Sequence, residues 1–171
     1  DVFFVVSGYL ITRTIRKEQS QDHFNLSDFW LRRIRRVLPA LLALVLTSLV
    51  FGYLVLIPSE YVELAGSAVA SITFSANIHF WHITRYGYFS DFSELYLLLH
   101  VWSLAIEEQF YLLLPLVFFL SCKTQAAKAP RIIFFIGIIS FGLSCWAAAN
   151  SPSANFYLLP TRGWELAAGC L

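Results

Sequence analysis

The feature that most constrains the fold is a long run of sequence without charge. No Asp, Glu, Lys or Arg lies between Arg36 and Glu60, and residues 37–57 are predominantly apolar. A helix needs roughly 20 apolar residues to cross the hydrocarbon core of a bilayer. Over the whole chain only 13% of residues are charged and 58% are hydrophobic, against about a quarter charged in soluble domains. The sequence therefore predicts an all-α, polytopic transmembrane helix bundle.

The other apolar segments predict further helices of the same kind. From the N-terminal end, the predicted membrane helices are residues 2–12 as the latter part of a span, 37–57, 95–120, 132–149 and a segment that begins at Thr161. Polar loops are predicted at residues 13–36 and 150–160. Pro39 is expected in the first turn of its helix, where a missing N–H costs little, and Pro58 is expected to end that helix.

Residues 64–84 are uncharged but carry many small and polar side chains. They form either a weaker span or a re-entrant helix that packs against protein. Lys and Arg near span ends favour the cytoplasm, which places residues 13–36 inside. If every segment crossed once, Lys123, Lys128 and Arg131 would lie outside, against the same rule. A re-entrant segment puts this second basic loop back inside, and we favour that alternative.

The strongest chemical signal is the string HVWSLAIEEQFY. On a helix of 3.6 residues per turn, His100, Ser103 and Glu107 lie on one face. Tyr111 continues this polar stripe, and Glu108 flanks it. A central acidic residue in a span costs about 2.5–3.5 kcal/mol on insertion scales, so these groups are expected to face protein or water. A carboxylate and an imidazole on one face suit a reaction site, and a structural polar seam between helices is the alternative.

The second signal is the string FWLRRIRRVLPA, which holds four arginines: Arg32, Arg33, Arg35 and Arg36. Guanidinium groups bind phosphates through paired hydrogen bonds, which suits a nucleotide-bearing donor such as acyl-CoA. On the charge pattern alone, an orientation signal that also binds anionic lipid is the preferred explanation.

The third signal is the string DVFFVVSGYLIT, in which polar and small residues interrupt an apolar helix. Gly8 permits the close approach of a helix or a ligand, and Ser7 can hydrogen-bond to its own helix or to a neighbour. Packing is the commoner use of such a pair. We take Asp1 and Ser7 as candidate substrate-binding residues, together with Tyr88 and Asp91, whose side chains could contact a sugar.

Weaker signals remain. Arg162 and Glu165, spaced i and i+3, predict either a local ion pair or a polar cavity shared with Glu107. His79 and His82 have no carboxylate or Cys at ligand spacing, so no metal is expected. The three cysteines lack paired spacing, which argues against a disulfide framework. We expect no nucleic-acid partner.

These three strings, in this order and closed by LLPTRGWELAAG, resemble the bacterial acyltransferase type 3 family of membrane O-acyltransferases, especially the lipopolysaccharide and peptidoglycan O-acetylases. The resemblance covers nearly the whole chain. It implies a bundle of roughly ten membrane helices, of which residues 1–171 would hold about half. We expect a partial domain, truncated at both ends and inactive alone. The family's Arg and His pair, whose His is the favoured catalytic base, is expected to precede Asp1.

The resemblance implies transfer of an acyl group, commonly acetyl, from acyl-CoA to a hydroxyl of a cell-surface glycan. The bacterial inner membrane is the expected location. By motif match the four arginines serve the donor and Glu107 supports the reaction centre, with His100 as a second catalytic candidate. The alternative is a polytopic transporter or flippase for a glycan or lipid-linked substrate, because buried ionisable residues also mark transport paths. A non-catalytic membrane scaffold is the third interpretation.

Overall fold

The computed structural model describes residues 2–21, 24–83, 96–122 and 128–171, and within these ranges the chain is helical without strands. The helices are α1 Val2–Ser20, α2 Leu26–Val55, α3 Pro58–Ile72, α4 Ala76–Ile83, α5 Val101–Cys122, α6 Lys128–Asn150, α7 Pro152–Tyr157 and α8 Leu159–Cys170. Among the described residues, three helical segments are long and apolar enough to cross a membrane: 26–55, 101–119 and 129–150. The all-α prediction is confirmed.

The predicted polar loop at residues 13–36 is wrong for most of its length. α1 ends only at Ser20, and α2 begins within the predicted loop, where the Asn25 side chain accepts the backbone N–H of Ser27 at 3.0 Å. This is a helix N-cap. Arg, Lys and Glu are good helix formers, so a charged segment continues a helix beyond its apolar part. Pro39 consequently lies inside α2 rather than in its first turn.

Prolines mark the starts of three helices. α2 ends at Val55, two residues before the predicted end at Ile57, and Pro58 begins α3 rather than ending α2. Pro152 and Pro160 occupy the first turns of α7 and α8. A proline at these positions breaks no intrahelical hydrogen bond. The predicted polar turn at residues 150–160 is therefore wrong in part, because it contains α7 and the beginning of α8.

α3 folds back along α2, and the chain then reverses at residues 73–75. A Cβ added to Gly52 of α2 would meet the Leu64 side chain of α3, so the two helices are in close contact. In the turn, Phe74 lies in the left-handed region with φ 52°. Its N–H donates to Ser71 O at 3.1 Å, and the next N–H donates to Ala70 O at 2.8 Å. This is the Schellman pattern of a helix C-terminus, with Phe at the position that usually holds Gly.

α4 leads back toward the beginning of α5. Near its start, Asn77 accepts a hydrogen bond from Gln109 of α5 at 2.8 Å, whereas three residues later Phe80 packs edge-on against Tyr96, which precedes α5. The α3–α4 pair therefore returns the chain to the end at which α2 finished. This geometry agrees with the re-entrant alternative for residues 64–84.

α1 and α5 run side by side in the same direction. The rings of Phe4 and Trp102 are in edge contact, and further along both helices Ser7 hydrogen-bonds Glu107. α5 therefore ends at the same end of the bundle as α1, whose last turns carry basic residues; we call this the basic end. Arg131, in the first turn of α6, lies there as well.

α1 also packs very closely against α8. A Cβ added to Gly8 would overlap the carbonyl oxygen of Leu166, and one added to Gly169 would overlap that of Val5. The Cys170 thiol lies 3.5 Å from the carbonyl oxygen of Gly8. Small residues that allow two backbones to approach are a common device of membrane helix pairs. The close approach predicted for Gly8 is confirmed.

Candidate active site

Glu107 is a buried carboxylate at the contact between α1 and α5. Only 3% of the residue is exposed. Its Oε1 accepts the hydroxyl of Ser7 at 2.7 Å, across 100 residues of sequence. Its Oε2 lies 3.5 Å from the hydroxyl of Tyr111, one turn along α5. Two of the three strings singled out in the sequence therefore meet at this side chain.

Arg33 brings the third string to the same place. Its Nε donates to Glu108 Oε1 at 2.7 Å, and its Nη2 lies 4.0 Å from Glu107 Oε2. The guanidinium carbon lies 4.2 Å from the centroid of the Tyr111 ring, a cation–π contact. The Arg33 side chain is only 20% exposed. We call Ser7, Arg33, Glu107, Glu108 and Tyr111 the carboxylate cluster.

The carboxylate cluster is electrostatically unbalanced. Two carboxylates face one guanidinium, so the cluster has a formal charge of −1 when both are ionised. Burying charged groups carries a large desolvation cost, which only close partners and hydrogen bonds offset. Simple helix packing would be satisfied by Ser or Thr. A residual negative charge in this setting attracts a proton or a cationic group, which is a property of reaction sites.

A cavity of 370 Å³ opens beside the cluster, and we call it the basic-end cavity. Its volume lies in the range of roughly 300–1,000 Å³ that is usual for small-molecule sites. It is lined by Arg33, Glu108 and Tyr111 of the cluster and by Trp30, Ile34, Thr73, Phe74, Ser75, Gln109 and Leu112. The Trp30 indole N–H is buried and has no hydrogen-bond partner among the described residues. Because buried donors are normally paired, this N–H is available to a ligand acceptor.

The turn between α3 and α4 is fixed to α5 by residues that the sequence analysis did not select. Gln109 donates to the carbonyl oxygen of Phe74 at 2.9 Å and to Asn77 at 2.8 Å. Asn77 in turn donates to the carbonyl oxygen of Tyr157 at 3.1 Å. An Asn and a Gln within predominantly apolar helices were the available signal. These bonds hold the strained Phe74 in the wall of the basic-end cavity.

Comparison with known proteins assigns the chain to a family. A family model described as an acyltransferase domain matches residues 1–171. The chain belongs to the acyltransferase type 3 family. With three helices in its described part that are able to cross a bilayer, it is a multi-pass membrane protein.

Curated relatives of this family member are O-acetyltransferases by name. O-acetyltransferase OatA of Staphylococcus aureus (strain NCTC 8325 / PS 47) is 40% identical over 176 residues, which cover 100% of this chain. Peptidoglycan O-acetyltransferase OatA of Listeria monocytogenes serovar 1/2a is 33% identical over 176 residues, which cover 99% of this chain. The chain spans 28% of the length of each. No solved structure gives a significant match.

The four arginines of this acyltransferase-family chain do not form one group. Arg33 is held within the carboxylate cluster, whereas Arg32 pairs with Glu18 of α1 at 2.6 Å and its side chain is 55% exposed. Arg35 and Arg36 are exposed on the surface of α2. Their role toward a donor remains a prediction.

The other candidate residues lie in different places. His100 is exposed just before α5, and its carbonyl oxygen accepts the hydroxyl of Ser103 at 3.2 Å. It is thus at the outer edge of the predicted polar stripe, and its catalytic role remains a prediction. Asp1, Tyr88 and Asp91 lie outside the described residues.

Arg162 and Glu165 form the predicted local ion pair. Arg162 Nη1 lies 3.3 Å from each carboxylate oxygen of Glu165, and both side chains are largely buried. The guanidinium carbon also lies 5.0–5.6 Å from the ring centroids of Phe4, Trp102 and Phe156. The pair therefore connects α8 to α1, α5 and α7.

Proposed function

We propose that this chain forms part of a membrane O-acyltransferase that moves an acyl group, most simply acetyl, from acyl-CoA to a hydroxyl of a cell-surface glycan. The observation that carries the proposal is the Glu107 carboxylate, which is buried among three helices and hydrogen-bonded by Ser7 beside Arg33. Family membership and the names of the relatives support it. We propose the bacterial cytoplasmic membrane as the location.

The donor is proposed to bind at the basic end. The exposed side chains of Arg35 and Arg36 supply phosphate-binding guanidinium groups near the basic-end cavity. The acyl-thioester part of the donor enters that cavity, where the Trp30 N–H offers a hydrogen bond. Arg33 lies in the wall, so the thioester carbonyl comes within reach of its positive charge.

The reaction proposed is attack of a sugar hydroxyl oxygen on the thioester carbonyl carbon. A general base takes the hydroxyl proton as the C–O bond forms, and the C–S bond breaks with the proton passing to the leaving thiolate. Family resemblance makes a His that precedes Asp1 the base. Glu107 is proposed to orient that His, as carboxylates orient imidazoles in other acyl-transfer sites. Arg33 is the fixed cation available to the developing oxyanion.

Family membership favours acyl transfer over transport for these buried charges. Chains of ionisable groups mark ion and proton transport paths through membranes. In the described residues the two buried carboxylates, Glu107 and Glu165, belong to separate groups, the carboxylate cluster and the Arg162–Glu165 pair, and each group is held by direct contacts. Such fixed groups suit a reaction centre that holds its substrates still.

The experiment that tests this proposal is acyl transfer by the purified full-length protein in liposomes, with isotope-labelled acetyl-CoA and a soluble oligosaccharide. Labelled ester and free CoA thiol are measured together. We expect both from the wild type, and about a tenfold higher KM for acetyl-CoA when Arg35 and Arg36 are both changed to Ala, because two phosphate contacts are lost.

Glu63→Gln is the matched control, since Glu63 is exposed on α3 and away from both groups of buried charge. It should leave the KM for acetyl-CoA unchanged. A wild-type protein that forms no ester from any acyl-CoA, although correctly folded, would overturn the proposed reaction. An unchanged KM in the double Arg variant would overturn the donor assignment alone.

A further inference from the structure

We infer that a second cavity, between α6, α7 and α8, binds the sugar of the acceptor glycan. This inference rests on the proposed function, because it assigns the second substrate of the same reaction. The cavity has a volume of 340 Å³, and its lining residues include Ser144, Ala148, Asn155, Phe156, Arg162 and Glu165. Neither the family match nor the names of the relatives assign a role to these residues.

The position of this cavity fits an acceptor site. Its Arg162 contacts the ring of Phe4, which precedes Ser7 by one turn of α1. Arg162 also contacts Trp102, which precedes Glu107 on α5. α1 and α5 both run toward the basic end, so the cavity lies on the opposite side of the carboxylate cluster from that end. The donor and the acceptor would thus approach Glu107 from opposite sides of the membrane.

The hydrogen-bonding groups of the cavity suit a polyol. An ionised carboxylate offers about four acceptor sites. The hydrogen bonds to Glu165 within the described residues come from one nitrogen, Arg162 Nη1, at 3.3 Å to each oxygen. The carboxylate therefore keeps capacity for sugar hydroxyl donors. On the facing helices, Ser144 donates to Asn155 at 2.9 Å, which adds a hydroxyl and an amide to the lining.

The aromatic and charge properties of the cavity favour a sugar over an anion. The Phe156 ring lines the cavity and packs against the Trp102 ring at an interplanar angle of 42° with centroids 4.5 Å apart, which gives an apolar wall. The C–H face of a pyranose ring packs on such a wall while its hydroxyls reach polar groups at the side. Arg162 is already neutralised by Glu165, so the pair has no net charge to attract a phosphate.

The inference is tested by binding of a soluble β-1,4-linked N-acetylglucosamine tetrasaccharide to the purified full-length protein, measured by calorimetry. Glu165→Gln weakens the carboxylate as an acceptor, and Ala148→Trp fills the cavity from an exposed position while both residues of the ion pair stay in place. We expect each to raise the Kd for the tetrasaccharide by at least about tenfold. The KM for acetyl-CoA should not change.

The control for Glu165→Gln is Glu63→Gln, which makes the same substitution at an exposed site. The control for Ala148→Trp is Ala149→Trp, because Ala149 is an exposed neighbour outside the cavity lining. Folding of each variant is checked by its thermal unfolding. Glu165→Gln can fail to fold, and Ala148→Trp then decides the result. Binding that both variants leave within twofold of the wild type overturns the inference, as does a wild type that does not bind at millimolar tetrasaccharide.

Two further outcomes separate this inference from the proposed function. A protein that binds the tetrasaccharide through this cavity but forms no ester would keep the sugar site and overturn the acyl transfer. Displacement of the tetrasaccharide by inorganic phosphate, lost in Arg162→Gln, would show an anion site and overturn the sugar assignment while leaving acyl transfer in place.

Discussion

Arg32 and Arg33 are adjacent in the chain but lie in opposite environments. Arg32 pairs with Glu18 across the surface, and its side chain is 55% exposed. Arg33 pairs with Glu108 beside Glu107, packs on the Tyr111 ring and is 20% exposed. One residue of a helix turns the side chain by about 100°. A cluster of like charges in a sequence is therefore not one site, and only the member that faces the neighbouring helices joins the buried chemistry.

The largest difference between the two arginines is expected on removal of each side chain. Arg33→Ala leaves two buried carboxylates without their cation, which should cost about 3–5 kcal/mol of unfolding free energy and abolish acyl transfer. Arg32→Ala should cost less than about 1 kcal/mol, because its pair is exposed to solvent. Reversible detergent denaturation of the full-length protein measures both. Equal losses in the two variants would remove the distinction between them.

A double-mutant cycle sharpens the same comparison. The coupling energy between Arg33 and Glu108 should be about 1.5–3 kcal/mol, as for hydrogen bonds to charged groups in low dielectric. The coupling between Arg32 and Glu18 should stay below about 1 kcal/mol. Raising the salt concentration should weaken only the second pair, since buried pairs are screened much less. A coupling of Arg33 to Glu108 that falls with salt would mean that water reaches the cluster.

Smaller effects are expected from the hydroxyls that contact Glu107. Ser7→Ala removes the 2.7 Å hydrogen bond and should cost about 1.5–3 kcal/mol, because a buried carboxylate loses a donor. Tyr111→Phe removes a hydroxyl at 3.5 Å but keeps the ring under Arg33, so its cost should be below that of Ser7→Ala. Unfolding free energies and transfer rates measure both variants. The reverse order would place the main hydrogen bond of Glu107 on Tyr111.

The smallest effect on stability is expected at the two exposed arginines. The combined change of Arg35 and Arg36 to Ala should alter the unfolding free energy by less than about 0.5 kcal/mol, as is usual for surface substitutions. Its effect should appear in donor binding instead. Thermal unfolding with and without acetyl-CoA distinguishes an effect on donor binding from an effect on stability. The rise in Tm that acetyl-CoA induces should be smaller in the variant than in the wild type. A large loss of stability without ligand would show that these side chains are structural.

The apolar segments of the sequence predict where the membrane helices lie, but they do not predict where those helices end. The span at residues 132–149 is confirmed as part of α6, and the span at residues 37–57 is confirmed as part of α2 as far as Val55. Both helices continue into charged or polar sequence, because Arg, Lys and Glu favour helix once the chain leaves the bilayer. Hydropathy indicates whether a helix is surrounded by lipid or by water. The ends of the helix are set by capping residues such as Asn25.

Helical periodicity predicted the part of the candidate site that lies on one helix. Glu107 and Tyr111 share a face of α5, as expected. The partners of Glu107 from other helices are Ser7 and Arg33. In the chain, they lie 100 and 74 residues before Glu107. Such pairing depends on how helices pack, and a single sequence carries no direct record of it. Gln109 was likewise missed because its bonds are to another helix and a turn.

The central claim is that Glu107 belongs to the reaction centre of an O-acyltransferase. The most direct test is mass spectrometry of O-acetyl esters on the cell-surface glycans of a deletion strain. The strain is given the full-length gene as wild type, Glu107→Gln or the exposed control Glu63→Gln. We predict that the wild type and the control restore the esters, and that Glu107→Gln, inserted at the same level, does not. Full restoration by Glu107→Gln would contradict the claim, and so would the absence of any gene-dependent ester.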